Sequence, residues 1–403
     1  MTPYDFTTSV DRRRTGSIKW GLMRAANPDV PAGIMPFSTA DLDFPVAPEI
    51  RDGLIEYLRA DAVLGYTAPT PAVLDAIVAW MRRRHAWTID PEHIVVSPGV
   101  IPAFTSAIRT FTDPGDAVLT LTPAYPPFFP AVTDGGRVLL RSPLVQRDDR
   151  WELDLDDLAA EAGDPRARLL LLCSPHNPTG RVWSRAELEA IARIVVDNDL
   201  LVISDEIHAD LIQPGHEHTV FANLGGELGE QIAARAITCM APSKTFNLAG
   251  MWTSASIVRD DKLRARLRAQ LTSQGIQHVG TLGLEACRLA YTHGEPWLAA
   301  LLDLIGTNHR LLRARLAADL PEVGVPDLEG TYLAWLDFRA LAADRGLDTE
   351  ALVRACTHDA LVFFDDGRNY GPEGEGFLRM NLGAPTTEID AAIDRLVRVL
   401  GRR

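Results

Sequence analysis

Lysine is scarce in this chain of 403 residues: Lys19, Lys244 and Lys262 are the only three, and the other 37 basic residues are arginines. A reaction that needs a lysine amine as nucleophile or base therefore has three candidates. Lys19 lies in a polar N-terminal stretch and Lys262 in a charged helical stretch, so we predict that both are exposed to solvent. Lys244 stands apart because it follows a predicted strand.

Cysteine is also sparse, and the four cysteines, at positions 173, 239, 287 and 356, show no paired spacing such as C-x-x-C. This pattern predicts reduced thiols in a cytoplasmic protein. The sequence has no apolar run long enough for a membrane span and no basic start followed by an apolar stretch, so we expect neither a membrane partner nor a signal peptide. The formal net charge of -14 disfavours nucleic acid as a partner, because an acidic chain repels phosphate backbones.

Short β-branched or leucine-rich runs alternate with amphipathic stretches over the middle of the chain. This alternation predicts an α/β fold with a mainly parallel central sheet between helices. The helices are predicted at 48–58, 71–87 and 184–198, the last opened by a capping box of Ser184 and Glu187. The strands are predicted at 93–97, 117–122, 137–141, 168–173, 200–204, 236–240 and 254–258.

The pattern changes after residue 260 and predicts a smaller C-terminal α+β domain. Long helical stretches cover 260–271 and 280–316, and a βαβ-like tail follows, with strands at 330–338, 361–364 and 377–382 and helices at 349–358 and 387–400. The first 35 residues show no periodicity and are interpreted as an arm. We therefore expect an arm with part of the small domain over 1–45, a large domain over 46–290 and a small domain over 291–403.

Chemically useful side chains follow several of the predicted strands, where open α/β sheets bind their ligands. Asn177, Asp205 and Lys244 come after three successive strands, and Val100 follows a fourth strand where a helix begins. A helix start offers free N–H groups to an anion. Pyridoxal phosphate needs this combination: an amide for its phenolic oxygen, a carboxylate for its pyridine nitrogen, a lysine for its aldehyde and an anion site for its phosphate.

Three segments carry a resemblance to a known family: Ser-Pro-His-Asn-Pro-Thr-Gly at 174–180, Ser-Asp-Glu-Ile-His at 204–208 and Ser-Lys-Thr-Phe-Asn-Leu-Ala-Gly at 243–250. They resemble the signatures of fold-type I pyridoxal-phosphate enzymes, the class I/II aminotransferase superfamily. Within it, the chain resembles the cystathionine and C–S β-lyases of the MalY/PatB type, over about residues 11 to 400. Supporting segments lie at 40–44, 64–67, 98–103, 180–183 and 377–381.

The resemblance implies a role for each residue that would hold pyridoxal 5'-phosphate. Lys244 would be the Schiff-base lysine and the base that removes the substrate Cα proton, and Asp205 would pair with the pyridine nitrogen. His208 stands where many aminotransferases carry a tyrosine that reaches the phenolic oxygen. The remaining implied contacts are Asn177 to the phenolic oxygen, Tyr125 stacked on the ring, and the backbone of Val100 and Ile101 with the Ser243 hydroxyl on the phosphate.

The resemblance also implies three features of the substrate site and the assembly. Arg379, in a Phe-x-Arg-x-Asn setting, would bind the substrate α-carboxylate. Many aminotransferases bind the phosphate with an arginine eight residues after the lysine, whereas this chain has Trp252 there, as fits the lyase-like family. Tyr66 would reach the site of a neighbouring subunit in a homodimer with shared active sites. Structural roles in the core remain alternatives for Tyr66 and Tyr125.

The function predicted on this basis is a C–S β-lyase that converts cystathionine or another S-substituted cysteine to a thiol, pyruvate and ammonia. An aminotransferase is an open alternative, because it shares the cofactor contacts. Another is an enzyme that processes S-cysteine conjugates in specialised biosynthesis, with 36–39 as its specificity surface, and a third is a non-enzymatic regulator. We expect no metal site: residues 216–218, His-Glu-His, lack a third ligand at motif spacing and are predicted to be a solvated loop.

Overall fold

A computed structural model describes residues 4–60, 63–276 and 278–401 of the chain. The helices of the first half are Ile18–Ala26 (α1), Pro48–Arg59 (α2), Pro71–His85 (α3), Val100–Phe111 (α4), Phe128–Thr133 (α5), Leu155–Ala162 (α6) and Arg185–Asp197 (α7). Those of the second half are Gly226–Ala233 (α8), Pro242–Thr245 (α9), Asp261–Ser273 (α10), Thr281–His293 (α11), Glu295–Asp319 (α12), Arg339–Arg345 (α13), Thr349–Arg354 (α14) and Thr386–Leu400 (α15).

A seven-stranded sheet forms the centre of the fold and confirms the predicted α/β class. Its strands are Ile94–Ser97 (β1), Ala117–Thr122 (β2), Val138–Pro143 (β3), Ala167–Cys173 (β6), Leu201–Asp205 (β7), Ala236–Met240 (β8) and Ser254–Ile257 (β9), with a separate hairpin of Val145–Arg147 (β4) and Arg150–Glu152 (β5). The spatial order is β1-β9-β8-β7-β6-β2-β3. Strands β8, β7, β6, β2 and β3 pair in parallel, and β9 is antiparallel to both of its neighbours.

The local sequence explains why three of these elements, β6, α7 and α3, form where they do. Strand β6 is buried at every position but Arg168, as expected for an inner strand covered by helices on both faces. The capping box of Ser184 and Glu187 opens α7, as predicted. Thr70 caps α3, and Pro71 occupies its first turn, where the missing N–H costs nothing.

The C-terminal region differs in detail from its prediction. A second sheet, in the order β10-β12-β11, joins Leu333–Asp337 (β10), Asp365–Asp366 (β11) and Phe377–Asn381 (β12). Strand β12 is antiparallel to both neighbours, so β10 and β11, which α13 and α14 connect, are parallel to each other with β12 between them, and the βαβ-like prediction is confirmed in this split form. Residues 361–364, predicted as a strand, have no regular secondary structure, and the strand β11 begins only after them. The helix predicted over 280–316 is broken at Gly294, which separates α11 from α12.

The N-terminal arm contains a helix that the sequence pattern did not predict. Ser17 caps α1, which buries Lys19, Trp20 and Met23. Lys19 is only 1% exposed and donates a 2.7 Å hydrogen bond to Asp43, so the prediction that it is solvated was wrong. Lys262 is exposed, as predicted.

The proposed division of the chain after residues 45 and 290 remains a prediction. Apolar residues of the arm, of α2 and α3, and of α11, α12 and α15 share one large cluster. Two further clusters lie on the two faces of the central sheet. Among the described residues, no helix is both long and apolar enough to cross a membrane.

Candidate active site

A cavity of about 500 Å³ lies where the predicted site residues meet. Strands β6, β7 and β8 are parallel neighbours, so their carboxyl ends meet at one edge of the sheet. The loop after β6 brings Asn177 to this edge, β7 ends at Asp205, and Lys244 lies in the short helix α9 that follows β8. The predicted residues that line the cavity are Val100, Ile101, Tyr125, Asn177, Asp205, His208, Ser243 and Lys244.

The start of α4 forms one wall of this cavity. Gly99 precedes the helix with a φ of 106°, a conformation that favours glycine. Val100 and Ile101 occupy the first turn, where backbone N–H groups have no acceptor within the helix. The wall therefore offers an anion-binding helix terminus.

Lys244 is partly buried at the cavity, and its surroundings favour the neutral amine. Its Nζ donates a 2.7 Å hydrogen bond to the carbonyl of Ala40, which also accepts a 2.9 Å hydrogen bond from the Tyr332 hydroxyl. Burial and the positive charge of Arg379 lower the pKa of Lys244 to about 8, against the opposing influence of Asp41 and Asp205. A substantial fraction of the amine is therefore neutral slightly above neutral pH.

Asp205 is a buried carboxyl whose charge is costly. Burial raises its pKa to about 7, although one oxygen accepts a 3.2 Å hydrogen bond from the backbone N–H of Ile207 and Lys244 favours ionisation. Desolvation outweighs these two contacts. A cationic partner at the cavity side of Asp205 would reverse this balance.

His208 and Tyr125 are uncharged groups at the same cavity. Burial and the charges of Lys244 and Arg379 lower the pKa of His208 well below its ordinary value, so the ring is neutral. Its Nδ1 is buried and has no hydrogen-bond partner among the described residues. Burial, with the charge of Asp205, raises the pKa of Tyr125 to about 12, and this ring packs edge-on against Phe128.

Arg379 reaches the site from the small sheet. Its position on β12 is opposite Asp365 of β11, with which its guanidinium forms an ion pair. Its Nη1 donates a 2.9 Å hydrogen bond to Oδ1 of Asn177, and the guanidinium stacks on Tyr370 at 5.0 Å from the ring centre. The buried Nε has no partner among the described residues, and each Nη has a second N–H, so the guanidinium retains donors for a ligand.

Two predicted site residues do not themselves line the cavity of this chain: Arg379, which reaches it through Asn177, and Tyr66. The Tyr66 side chain is fully exposed, and its ring lies 6.1 Å from that of His278. Trp252, which replaces the arginine of many aminotransferases, lines the cavity and is 65% exposed.

Behind the cavity, Asp210 connects α3 to α9. Its carboxylate accepts hydrogen bonds from His85 Nε2 at 2.8 Å, Trp80 Nε1 at 3.0 Å and the Thr245 hydroxyl at 2.8 Å. Burial would raise the pKa of Asp210, but the hydrogen bond and charge of His85 lower it. Because Thr245 follows Lys244, this carboxylate fixes the backbone that carries the amine.

Glu206, next to Asp205 in the sequence, is a second carboxylate that accepts several hydrogen bonds. It accepts hydrogen bonds from the Ser204 hydroxyl at 2.7 Å and the backbone N–H of Phe221 at 3.0 Å, and pairs with His218 Nε2 at 2.8 Å. The His218 side chain is only 3% exposed, so the prediction of a fully solvated loop at 216–218 was wrong at this residue. Within the described ranges, the one group of three adjoining potential metal ligands is Asp90, Glu92 and His93, at the surface.

The sequence analysis missed one wall of the cavity, which the arm builds. Arg12, the segment 15–18, Ala40 and Asp41 all line it, and Arg12 forms a 2.9 Å ion pair with Asp41. Of the predicted specificity surface at 36–39, only Thr39 lines the cavity, whereas the other three residues are buried. The signal available in the sequence was the pair Asp41 and Asp43, for which the arm supplies basic partners.

Comparison with known proteins places this site in a family. The model of the aminotransferase class I and II family matches residues 32–396. The chain belongs to this family. It is 37% identical to cystathionine beta-lyase PatB of Bacillus subtilis and 32% identical to protein MalY of Escherichia coli, over 98% of this chain and at least 99% of each relative.

A solved structure shows the same similarity in three dimensions. Cystalysin from Treponema denticola, which contains a pyridoxal 5'-phosphate cofactor, has a TM-score of 0.95 and 41% identity, with 98% of each chain covered. The predicted membership of the class I/II superfamily and the resemblance to the MalY/PatB type are confirmed.

Proposed function

We propose that this protein is a pyridoxal-phosphate-dependent C–S β-lyase that cleaves cystathionine or a related S-substituted cysteine to a thiol, pyruvate and ammonia. The observation that carries the proposal is the meeting of Lys244, Asp205 and Asn177 in one cavity of a chain similar to cystathionine β-lyases over nearly its whole length. The enzyme's substrates are small amino acids.

Pyridoxal 5'-phosphate is the cofactor, and the unsatisfied groups of the cavity fit it. Asp205 carries a buried carboxyl that forms no ion pair with a described residue, and a protonated pyridine nitrogen would supply a cationic partner. His208 Nδ1 and the amide of Asn177 are available to a phenolic oxygen, and the first turn of α4 to a phosphate. When bound, the cofactor supplies a sink for the electrons released at the substrate Cα.

The residues around the cofactor have separable tasks. Asp205 would hold the ring nitrogen protonated, and Tyr125 would pack against the ring. Val100 and Ile101, with the Ser243 hydroxyl, hold the phosphate without the arginine that Trp252 replaces.

Lys244 would hold the cofactor through its amine, and the same amine would take the proton from the substrate Cα. A base is most effective when its pKa lies near the working pH, and burial brings this amine to that range. Arg379 binds the α-carboxylate, which orients the Cα–H bond toward the amine. The unpaired donors of Arg379, among them its buried Nε, and the fixed position of the guanidinium on Asn177 and Asp365 support this role.

We propose further that the enzyme is a homodimer in which Tyr66 completes the partner's site. The full exposure of Tyr66 supports this, because a tyrosine ring without cover is unusual in a monomer. A cytoplasmic location remains a prediction from the cysteine pattern.

The test is incubation of the purified protein with L-cystathionine and with S-ethyl-L-cysteine. A β-lyase releases a thiol and pyruvate in equal amounts without a co-substrate, whereas an aminotransferase, given 2-oxoglutarate as amino acceptor in a parallel incubation, yields a 2-oxo acid that keeps its sulfur. The Lys244→Ala variant is the control and should release neither product. Absence of thiol from every S-substituted cysteine, with 2-oxo acid formed instead, would favour the aminotransferase alternative.

A further inference from the structure

The wall of the cavity built by the N-terminal arm carries two opposite charges. Arg12 Nη1 lies 2.9 Å from Oδ2 of Asp41, and both side chains line the cavity that holds Lys244. They are partly enclosed, with 25% of the Arg12 side chain and 18% of the Asp41 side chain exposed. A charged pair at this depth is accessible to a ligand and poorly screened by water.

Both members of the pair retain hydrogen-bonding capacity. All the side-chain hydrogen bonds of Arg12 to described residues involve Nη1, which contacts Asp41, Leu42 and Asp43. Its Nε and Nη2 therefore remain available to a ligand. Oδ1 of Asp41 is buried and has no partner among the described residues.

A second carboxylate, Asp43, anchors the pair, but its own hydrogen bonds are made within the protein. Its side chain is fully buried and accepts hydrogen bonds from Lys19 at 2.7 Å and from Trp20 Nε1 at 2.8 Å, besides its 3.2 Å contact with Arg12. Asp43 thus fixes the arm, while Asp41 faces the cavity. With Lys19 counted, the cluster contains two basic and two acidic side chains, so its formal charges cancel.

A neutral pair of opposite charges complements a zwitterion better than it complements a simple anion or an alkyl group. The cysteine half of the substrate already has a carboxylate site in Arg379, so the pair is left for the other half. Asp41 follows Ala40, whose carbonyl contacts the Lys244 amine, so the pair lies next to the reacting group.

We propose that Arg12 and Asp41 form a second subsite that binds the zwitterionic amino-acid end of the leaving thiol, as in cystathionine. Arg12 binds the carboxylate of this group, and Asp41 binds its ammonium. The inference rests on the proposed C–S β-lyase function and assigns the class of its substrate: an S-substituted cysteine whose leaving group is itself an α-amino acid.

The experiment uses the holoenzyme and four substrates with the same three-carbon chain on sulfur. L-Cystathionine has both distal charges, S-(3-carboxypropyl)-L-cysteine has only the carboxylate, S-(3-aminopropyl)-L-cysteine has only the ammonium, and S-propyl-L-cysteine has neither. We expect kcat/KM to be highest for cystathionine, lower for the two substrates with one distal charge and lowest for S-propyl-cysteine. The total fall should be about 10- to 100-fold, as for the loss of charged hydrogen bonds.

Two variants assign the two charges. Arg12→Gln should remove the preference for the substrates with a distal carboxylate, and Asp41→Asn the preference for those with a distal ammonium, mainly through KM. The matched controls are Arg13→Gln and Asp11→Asn, which remove an exposed ion pair of the same arm and should keep the wild-type order. The absorbance of the bound cofactor reports whether each variant retains its site.

The outcomes separate this inference from the proposed function. If the wild type cleaves S-propyl-cysteine as efficiently as cystathionine, the subsite is overturned and the lyase function stands. If Arg12→Gln and Asp41→Asn lower kcat/KM for all four substrates by the same factor, the pair is structural and the subsite is again overturned. If the wild type cleaves none of the four, the proposed function fails and the subsite with it. If a variant does not fold, the wild-type series still decides.

Discussion

Asp205 shows how a single buried carboxyl links cofactor binding to stability. Burial raises its pKa from 3.8 to about 7, so in the protein without cofactor the folded state binds a proton more tightly than the unfolded state does. This contribution to stability is fully present below about pH 4 and is lost as the pH rises through 7. The positive ring nitrogen of the cofactor should offset the loss by stabilising the carboxylate.

We predict that the free energy of unfolding of the cofactor-free protein falls between pH 4 and 7 in part because of Asp205, and that Asp205→Asn reduces this fall. Urea unfolding at pH 5 and pH 7 measures the fall in the free energy of unfolding of the wild type and of Asp205→Asn. The cofactor-bound wild type should show a smaller fall than the cofactor-free wild type. The matched control is Asp303→Asn, at an exposed position of α12, which should leave the slope unchanged. An equal fall in Asp205→Asn and the wild type would contradict the assignment.

At Arg379, the geometry of the side chain matters more than its charge. Its guanidinium contacts Asn177 and Asp365 at once and stacks on Tyr370, which a lysine ammonium cannot reproduce. We predict that Arg379→Lys retains the cofactor but loses about 2–4 kcal/mol of transition-state stabilisation, or about 30- to 1,000-fold in kcat/KM. Steady-state kinetics and the cofactor spectrum measure the two effects, and near-normal kcat/KM would show that another group binds the carboxylate.

At the scale of elements, Asp210 joins the helix α3 to the helix α9 that carries Lys244. Asp210→Asn keeps the size of the side chain but removes the charge that pairs with His85, so it leaves buried donors poorly matched. We predict a loss of about 2–4 kcal/mol in the free energy of unfolding, with a fall in kcat, since Thr245 loses its anchor. Urea unfolding and kinetics test this, and unchanged values for both would refute the anchoring role.

The elements that were predicted correctly from the sequence have strong local signals. Strands β2 and β8 begin and end as predicted, because each is a compact apolar run of the length of a strand. Helix α7 has a capping box at its start and a regular apolar face. The strand ends then fixed the predicted positions of Asn177, Asp205 and Lys244, which the parallel sheet brings to one edge.

The missed features depend on contacts between distant parts of the chain. Helix α1 is only nine residues long, and Gly21 at its centre weakens the helical signal of its sequence. Lys19 looks solvated in the sequence because its partner Asp43 lies 24 residues away. Residues 361–364 have the composition of a strand, but the pairing with β12 begins only at Asp365.

At the scale of the whole molecule, the exposed apolar residues near Tyr66 are the kind of surface that a second subunit would cover. Ile55 and Leu58 of α2 and the following Val63 and Leu64 are all exposed, although large apolar side chains are mostly buried. At the cavity, Ile101 and Trp252 are exposed as well. A homodimer that covers these residues would also bring a tyrosine to a phosphate site that lacks an arginine.

The shared site can be tested by complementation between two inactive subunits. We predict that Tyr66→Phe and Lys244→Ala proteins are each strongly impaired, and that subunit exchange between them restores activity. In a heterodimer, one site combines the Lys244 of one subunit with the Tyr66 of the other and is intact, whereas the second site lacks both groups. With random exchange at equal concentrations, half of the dimers are mixed and one of their two sites works, so about a quarter of the wild-type activity should return. Mixing Lys244→Ala with Lys244→Ala/Tyr66→Phe is the control and should restore nothing. If the first mixture also stays inactive after mass spectrometry has shown that heterodimers form, Tyr66 does not act across the interface.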